Sequence, residues 1–434
     1  MNVITPTGNG MHKGLAAFVR QTGQRDESAD FYKSCAESAD FSTPLNLDLW
    51  IIKESFALIE PVAERFVKGF YGRLFANNPK LRGMFPASLD GHGARLFRAI
   101  TRIVWSLDSE QALEGYLAKL ARDHRKFGVV PGHYPAVCDA FMATMRAFLG
   151  DAWTAEVQGA WKAAFDQISK IMIEAADDAA RGTPPWWLGE VLAHEQRRPD
   201  LAVLTIRPNQ PLPYRAGQYV SVQCTHWPRV WRTFSIANAP REDGIIRFHV
   251  RAIPGGWVSR ALVHYTRPGD TLLLGPAAGA MVADGGSARD VLCVAGGTGL
   301  APIKAIVQQL LADDWPGGRL NSTRRNIHLF FGARNKPDLY DLRSLRMMES
   351  GHPSLRVIPV VSDGVVPSAV VPSAAQFDCI SGLLPDVVAG YSTWPDHDVY
   401  VSGPARMVRE TIQILTAIGI PVTCIYSDPV ETDP

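Results

Sequence analysis

Apolar positions recur at three- and four-residue steps from Asn46 to about Ala180, and this spacing predicts helices throughout that stretch. Ile59, Val62, Phe66, Phe70 and Leu74 form one stripe, and similar stripes run through 95–107, 111–122, 134–149 and 155–175. Pro79, Pro86 and Pro131 fall in the breaks, where a proline's missing N–H does least harm. A segment rich in Gly, Pro and Trp, Gly182-Thr183-Pro184-Pro185-Trp186-Trp187, closes the helical block. Beyond it the period shifts towards two, and 202–206, 219–222 and 246–250 read as strands. From Asp290 onward, strands at 291–295, 326–331, 356–361 and 398–401 alternate with helical stretches, the signature of a doubly wound sheet. Residues 1–46 are polar, contain Gly and Ser, and show only weak periodicity, so they read as an N-terminal extension. There is no internal repeat.

Composition narrows the class. The chain has 434 residues, 46% hydrophobic and 20% charged, with a net charge of +1, as expected of a multidomain globular enzyme. No long basic run or interleaved basic–aromatic tract points to a nucleic acid or an anionic membrane. No apolar stretch approaches the ~20 residues that span a bilayer. The first residues carry no charged leader followed by an apolar block, so the expected location is the cytoplasm. Cys35, Cys138, Cys224, Cys293, Cys379 and Cys424 lie far apart without a C-x-x-C, which fits neither a disulfide framework nor a zinc site. Nor do they supply the four clustered thiolates of a ferredoxin-type centre.

The candidate chemistry of the helical half rests on a few positions. Tyr71 lies in Phe70-Tyr71-Gly72-Arg73-Leu74-Phe75, followed by Asn78-Pro79. Phe85 and His92 come next, and His124 ends a helical run before Arg125-Lys126-Phe127-Gly128-Val129-Val130-Pro131. In type and spacing these residues resemble the globin domain of flavohaemoglobins. The resemblance implies that His124 is the axial ligand of a haem b iron, for which a neutral imidazole is the common choice. It places Phe85 against the porphyrin, His92 and Leu96 over the oxygen side, and the Tyr71 phenol as hydrogen-bond donor to bound O2. Glutamine is usual in the family where this chain has His92. The family also orients its proximal histidine with a Tyr–Glu pair. Tyr134 matches the tyrosine, but the glutamate position holds Ala176, with Glu174 two residues away on another helical face. Asp123 stands where a basic residue usually precedes the ligand.

The second half carries an ordered series of short motifs. Arg232-Thr233-Phe234-Ser235 resembles the R-x-Y-S motif of ferredoxin-reductase-like flavoproteins, with Phe234 for the commoner tyrosine. An arginine fork there grips a pyrophosphate, the aromatic packs on the isoalloxazine, and the serine reaches its N5 edge. Gln218 and Tyr219 precede it in Ala216-Gly217-Gln218-Tyr219. Gly255-Gly256-Trp257-Val258-Ser259 follows, with amides suited to a phosphate at a helix start, and then Arg267-Pro268-Gly269-Asp270 and Gly275-Pro276. The series implies FAD. Gly296-Gly297-Thr298-Gly299-Leu300-Ala301-Pro302, between a strand and a helix, resembles the glycine turn of the same reductases. Ser402-Gly403-Pro404 resembles their later C-G-P motif, with serine for cysteine. Phe331-Gly332-Ala333-Arg334 and Asp338-Leu339-Tyr340-Asp341 look like the NADH-preferring members, while Arg334 keeps NADPH possible. At the carboxyl end Ile425-Tyr426-Ser427-Asp428-Pro429 replaces the aromatic that often covers the flavin.

The resemblance thus implies a multidomain fold. An all-α globin (haem) domain over 47–180 leads to an antiparallel β-barrel FAD domain over 188–285, then an α/β doubly wound NAD(P)-binding domain over 286–434, all preceded by the extension at 1–46. It implies electron flow from NADH through FAD to haem, with no separate electron-transfer partner and O2, NO and NAD(P)H as the molecules handled. Nitric oxide dioxygenase activity, NO plus O2 to nitrate, is the leading expectation. An oxidoreductase using another electron donor or acceptor, and a haem-based gas or redox sensor, are the alternatives.

Overall fold

The computed structural model describes residues 48–89, 91–313, 325–362 and 379–428, so the expected extension at 1–46 and Pro429 lie outside the described residues. Two compact units emerge, Met1–Thr183 and Pro184–Pro434.

The first unit is helical: α1 (Leu49–Ala57), α2 (Ala63–Asn77), α3 (Pro79–Arg82), α4 (His92–Ser106), α5 (Glu110–His124), α6 (Tyr134–Leu149) and α7 (Ala155–Gly182). Its core gathers Ile52, Phe56, Phe66, Leu74, Leu113, Leu117 and Met145, all essentially buried. Each such side chain contributes roughly 1.5–3 kcal/mol by leaving water. The stripe predicted from Ile59 to Leu74 is not one helix. Pro61 has no N–H and crowds the residue before it, so Glu60–Val62 forms a separate 3-10 turn ahead of α2. The long α7 is started by Thr154, whose side chain accepts from the Val157 N–H. It is tied to α1 where the buried Trp161 Nε1–H donates to Ser55 Oγ at 2.9 Å.

The second unit holds two sheets. In the first, β1 (Trp187–Arg198), β2 (Leu201–Pro208), β3 (Tyr219–Cys224), β4 (Arg232–Ser235), β5 (Ile246–Arg251) and β6 (Thr271–Leu274) take the order β4-β3-β6-β1-β2-β5. All these pairings are antiparallel. An antiparallel bridge between Ile236 and Phe248 brings the two edges together, so the sheet is a nearly closed barrel. Helix α8 (Trp257–His264) packs Val258, Ala261, Leu262 and Val263 into it. The longest strand, β1, was not expected. It starts at Trp187, inside the segment read as a linker, and register shifts near Ala193 and Arg198 spoil the alternation that marks a strand in sequence.

The second sheet is parallel: β7 (Asp290–Gly296), β8 (Ile327–Ala333), β9 (Leu355–Val361), β10 (Ile380–Ser381), β11 (His397–Ser402) and β12 (Ile425–Tyr426), in the order β10-β9-β8-β7-β11-β12. Helices α9 (Leu300–Asp313), α10 (Leu342–Gly351), α11 (Leu384–Tyr391) and α12 (Ala405–Ala417) connect its strands. From β7 the chain steps outward one way through β8, β9 and β10, then returns to place β11 on the other side. Beyond the carboxyl ends of β7 and β11 lies the crevice where doubly wound folds take their ligands. No helix among the described residues is long and apolar enough to cross a membrane.

Candidate functional site

In the helical unit, α2 carries Tyr71 in its buried face, with the ring stacked on Phe75 and edge-on to Phe85, both at 5.7 Å between centroids. Phe85 in turn meets the His92 ring at 6.3 Å. Tyr71, Phe85 and His92, expected together on one side of a haem, therefore form one continuous ring cluster, and Leu96 packs on the same core. Burial pushes the Tyr71 pKa up to about 12, so the phenol is neutral, and its hydroxyl has no hydrogen-bond partner among the described residues. Sequence reasoning missed Arg95. One helical turn after His92, it brings Nη2 to 3.2 Å from His92 Nδ1, and its charge bears on Tyr71.

His124 ends α5. Its Nδ1–H donates to the Leu120 carbonyl at 2.7 Å, which fixes the tautomer and leaves the Nε2 lone pair without a partner among the described residues. Burial lowers its pKa, so the ring is neutral. A half-buried neutral imidazole whose Nε2 is unengaged among the described residues is the donor an iron requires, and the phenol without a partner there suits a bound diatomic ligand. The residues present fit a haem. Asp123 is engaged elsewhere, in an ion pair with Lys126 at 2.5 Å.

Tyr134 opens α6, and burial raises its pKa to about 12, with the charge of Asp177 adding to the rise. The carboxylate that bears on Tyr134 is therefore Asp177, immediately after the Ala176 of the expected glutamate position, and not Glu174. Ala176 packs against the core.

The flavin motifs converge on the barrel. In β3 and β4 Tyr219 pairs with Ser235, Val220 with Phe234, Ser221 with Thr233 and Val222 with Arg232. Arg232 and Thr233 are exposed, while Phe234 and Ser235 are half-buried, with Phe234 against Phe248. Gly217, at φ +101, has room for no side chain, since a Cβ there would lie 2.1 Å from the Met281 carbonyl. Gln218 holds two backbone groups: Nε2 donates to the Gly279 carbonyl at 3.2 Å, and Oε1 accepts from the Arg215 N–H at 2.8 Å. Across Gly279 from Tyr219 stands Asp428 of the carboxyl-end segment. Tyr426 stacks on Tyr400 at 5.1 Å. At the start of α8, Trp257 is exposed. Val258 is buried and Ser259 Oγ accepts from the Ile253 N–H at 3.4 Å, so these two offer a ligand little beyond main chain. Exposed arginine, aromatic floor and open amides suit a flavin nucleotide.

The parallel sheet joins the two nicotinamide motifs. A Cβ on Gly299 would lie 2.3 Å from the Ser402 carbonyl oxygen, and one on Gly296 would meet Met407 and Pro404. These glycines let the turn after β7 pack against Ser402-Gly403-Pro404. Gly297 differs: at φ +55, with nothing within 4 Å of a Cβ, it faces open space where a phosphate can approach. Thr298 beside it is half-buried, while Leu300, Ala301 and Pro302 sit in the core. Between barrel and sheet the Nδ1 of the buried His249 is hydrogen-bonded to the Tyr340 hydroxyl at 2.8 Å, and Arg198 pairs with Asp338 at 2.9 Å. Lys304 and Asp341 form a buried ion pair at 2.5 Å.

Residues 68–172 match the Globin family, residues 190–281 the oxidoreductase FAD-binding domain and residues 293–413 the oxidoreductase NAD-binding domain. A flavohemoprotein of Deinococcus radiodurans is 27% identical over 387 residues, covering 86% of this chain and 93% of that protein. The reductase component of the naphthalene 1,2-dioxygenase system of Pseudomonas putida is 31% identical over 241 residues, covering 55% of this chain and 67% of that protein. Among solved structures, the flavohemoglobin of Malassezia yamatoensis with bound FAD and heme covers 87% of this chain and 97% of its own, at TM-score 0.68 and 18% identity, a likeness of fold.

Proposed function

Because the chain belongs to the flavohaemoglobin-like fusions of a globin with FAD- and NAD-binding oxidoreductase domains, we propose that it is a nitric oxide dioxygenase. The overall change is 2 NO + 2 O2 + NADH to 2 nitrate, NAD+ and a proton. When bound, the flavin takes hydride and releases single electrons, and the haem iron accepts them and holds the diatomic ligand. The observation that carries the reading is the neutral Tyr71 phenol, its ring packed among Phe75, Phe85 and, through Phe85, His92, with no hydrogen-bond partner for its hydroxyl among the described residues.

This chain's residues do the following. His124 offers Nε2 to the iron, held in one tautomer by Leu120. Tyr71 donates its proton in a hydrogen bond to charge that builds on the ligand, without releasing it at neutral pH. Phe75 and Phe85 keep water from that side. Tyr134, on which the Asp177 charge bears, would supply polar support to the proximal imidazole. Arg232 holds the flavin phosphates, Tyr219 and Phe234 its ring system, and Gly297 and Thr298 the nicotinamide nucleotide's phosphates.

The test is NO disappearance at an electrode with haem- and FAD-loaded protein, air-level O2 and NADH. NADH-dependent loss with nitrate as product supports the assignment, and loss that persists in both Tyr71→Phe and His124→Ala refutes it. The resemblance of the second unit to an oxygenase reductase component favours one further reading, in which electrons leave the flavin for a separate acceptor. In that case NADH oxidation with added acceptors is rapid while NO is spared.

A further inference from the structure

Two indoles stand stacked on the barrel surface. Trp227, in the loop between β3 and β4, and Trp257, the first residue of α8, have ring centroids 4.9 Å apart and planes 24° from parallel. They are nevertheless 38% and 41% exposed. Single exposed aromatics are ordinary, whereas a stacked pair presents a wider flat apolar face that a planar ligand can cover. The loop presenting Trp227 is held in a costly shape. Arg229 has φ +65, a left-handed conformation that a non-glycine residue keeps only where its surroundings impose it. Its N–H donates to Gln223 Oε1 at 2.6 Å, and the Val230 N–H returns to the Trp227 carbonyl.

The position of the stack identifies its ligand. Tyr219 and Ser235 pair at one end of the β3–β4 hairpin, where the isoalloxazine belongs, and Arg232 with the exposed Arg229 lies towards the other. The stack sits past Arg232, against the amides that open α8. From Ser235 to Arg232 the strand covers roughly 10 Å, so a mononucleotide reaches the arginine and ends there. Only a flavin carrying a second nucleotide has a flat, uncharged, aromatic group to lay beyond the phosphates. At 4.9 Å the indoles leave no room for a ring between them, so that group extends the stack on an outer face.

We propose that the Trp227–Trp257 stack seats the adenine ring of the flavin dinucleotide and sets a preference for FAD over FMN. This rests on the assignment of the flavin to the barrel. The test is equilibrium titration of the flavin-depleted full chain with FAD and, separately, with FMN, following flavin fluorescence and indole quenching. The intact protein binds FAD at least tenfold more tightly than FMN. Trp227→Ala and Trp257→Ala each weaken FAD by roughly tenfold, the scale of base–aromatic stacking, and leave FMN unchanged. Trp227→Phe recovers most of the loss, and unchanged FMN binding reports that the barrel is folded. Equal affinity of the intact chain for both flavins, or variants that weaken both alike or neither, overturns the platform alone. If the intact chain takes up neither flavin, the flavin assignment falls with it.

Discussion

Replacing His249 by Phe should remove a pH-dependent part of the stability of the Pro184–Pro434 unit. His249 sits buried on β5, its Nδ1 hydrogen-bonded to the hydroxyl of the half-buried Tyr340 at 2.8 Å. Burial foremost, then the Lys304 charge, pushes its pKa from 6.5 down to about 3, with Asp341 opposing and Arg197 and Arg247 assisting. The folded pKa is the lower one, so the folded chain prefers the neutral ring. The stabilisation is complete above pH 6.5 and drains away as pH falls through the window from 6.5 to about 3. Between about pH 8 and about pH 5 the unfolded chain takes up most of a proton that the folded chain refuses, a cost of roughly 2 kcal/mol. The assay is urea unfolding of the full chain followed by flavin release, which reports the reductase unit, at both pH values. The intact protein's advantage over His249→Phe should shrink by roughly 2 kcal/mol from the higher pH to the lower. Other titrating groups are common to both proteins and cancel in the difference. An advantage that stays constant across pH would refute the reasoning.

Three further outcomes are expected. Tyr71→Phe should speed O2 dissociation, measured by flash photolysis, by roughly five- to thirty-fold, the worth of one pocket hydrogen bond of about 1–2 kcal/mol; an unchanged rate would mean the phenol faces elsewhere. His124→Ala should abolish the haem Soret band after gel filtration while NADH-driven ferricyanide reduction persists, and failure of the reductase assay would show that the units depend on one another. Gly299→Ala forces a Cβ to within 2.3 Å of the Ser402 carbonyl oxygen, so KM for NADH should rise several-fold with FAD content unchanged; unaltered steady-state kinetics would remove the β7 turn from nucleotide binding.

Legibility in the sequence tracked how local the determining contacts are. Helical stripes and the alternation of strands with helices after Asp290 are set by neighbours three, four or two residues away, and the sheet and helix classes follow from them. β1 escaped because its register shifts and its polar stretch Glu195-Gln196-Arg197-Arg198 break the alternation. Pro61 was in view, yet the apolar stripe running through it masked the break. That Tyr71, Phe85 and His92 share one cluster was legible from their spacing and residue types, as was the placing of His124 at a helix end. Asp177 was not, since one position on a helix turns a side chain by about 100°, and which turn meets Tyr134 is decided by how α6 and α7 pack. Arg95 could have been found as the i+3 neighbour of His92. The His249–Tyr340 bond joins residues 91 apart and the Trp227–Trp257 stack joins a loop to a helix start, and no local pattern announces either.

The titratable groups at the candidate haem site, and the buried His249 of the barrel, are polar but uncharged, in contrast to the exposed Arg232 of the flavin motif. Tyr71 and Tyr134 are held protonated, each with a pKa raised to about 12, and His124 and His249 are held neutral, in every case with burial as the leading cause. Formal charges stand one step back, with Arg95 beside His92, Asp177 by Tyr134, and Lys304 paired to Asp341 near His249. Placing an unpaired ion at the inner positions would cost several kcal/mol in lost hydration, whereas a neutral donor costs far less and still answers charge that develops on a ligand. Such donors do not titrate near neutral pH, so an electron arriving at these sites meets fixed dipoles and releases no proton from the side chains that line them. A cation in place of Tyr71 would bind an anion more tightly before reaction as well as during it. The phenol strengthens its hold only as charge builds, and that difference is what a site for oxygen chemistry needs.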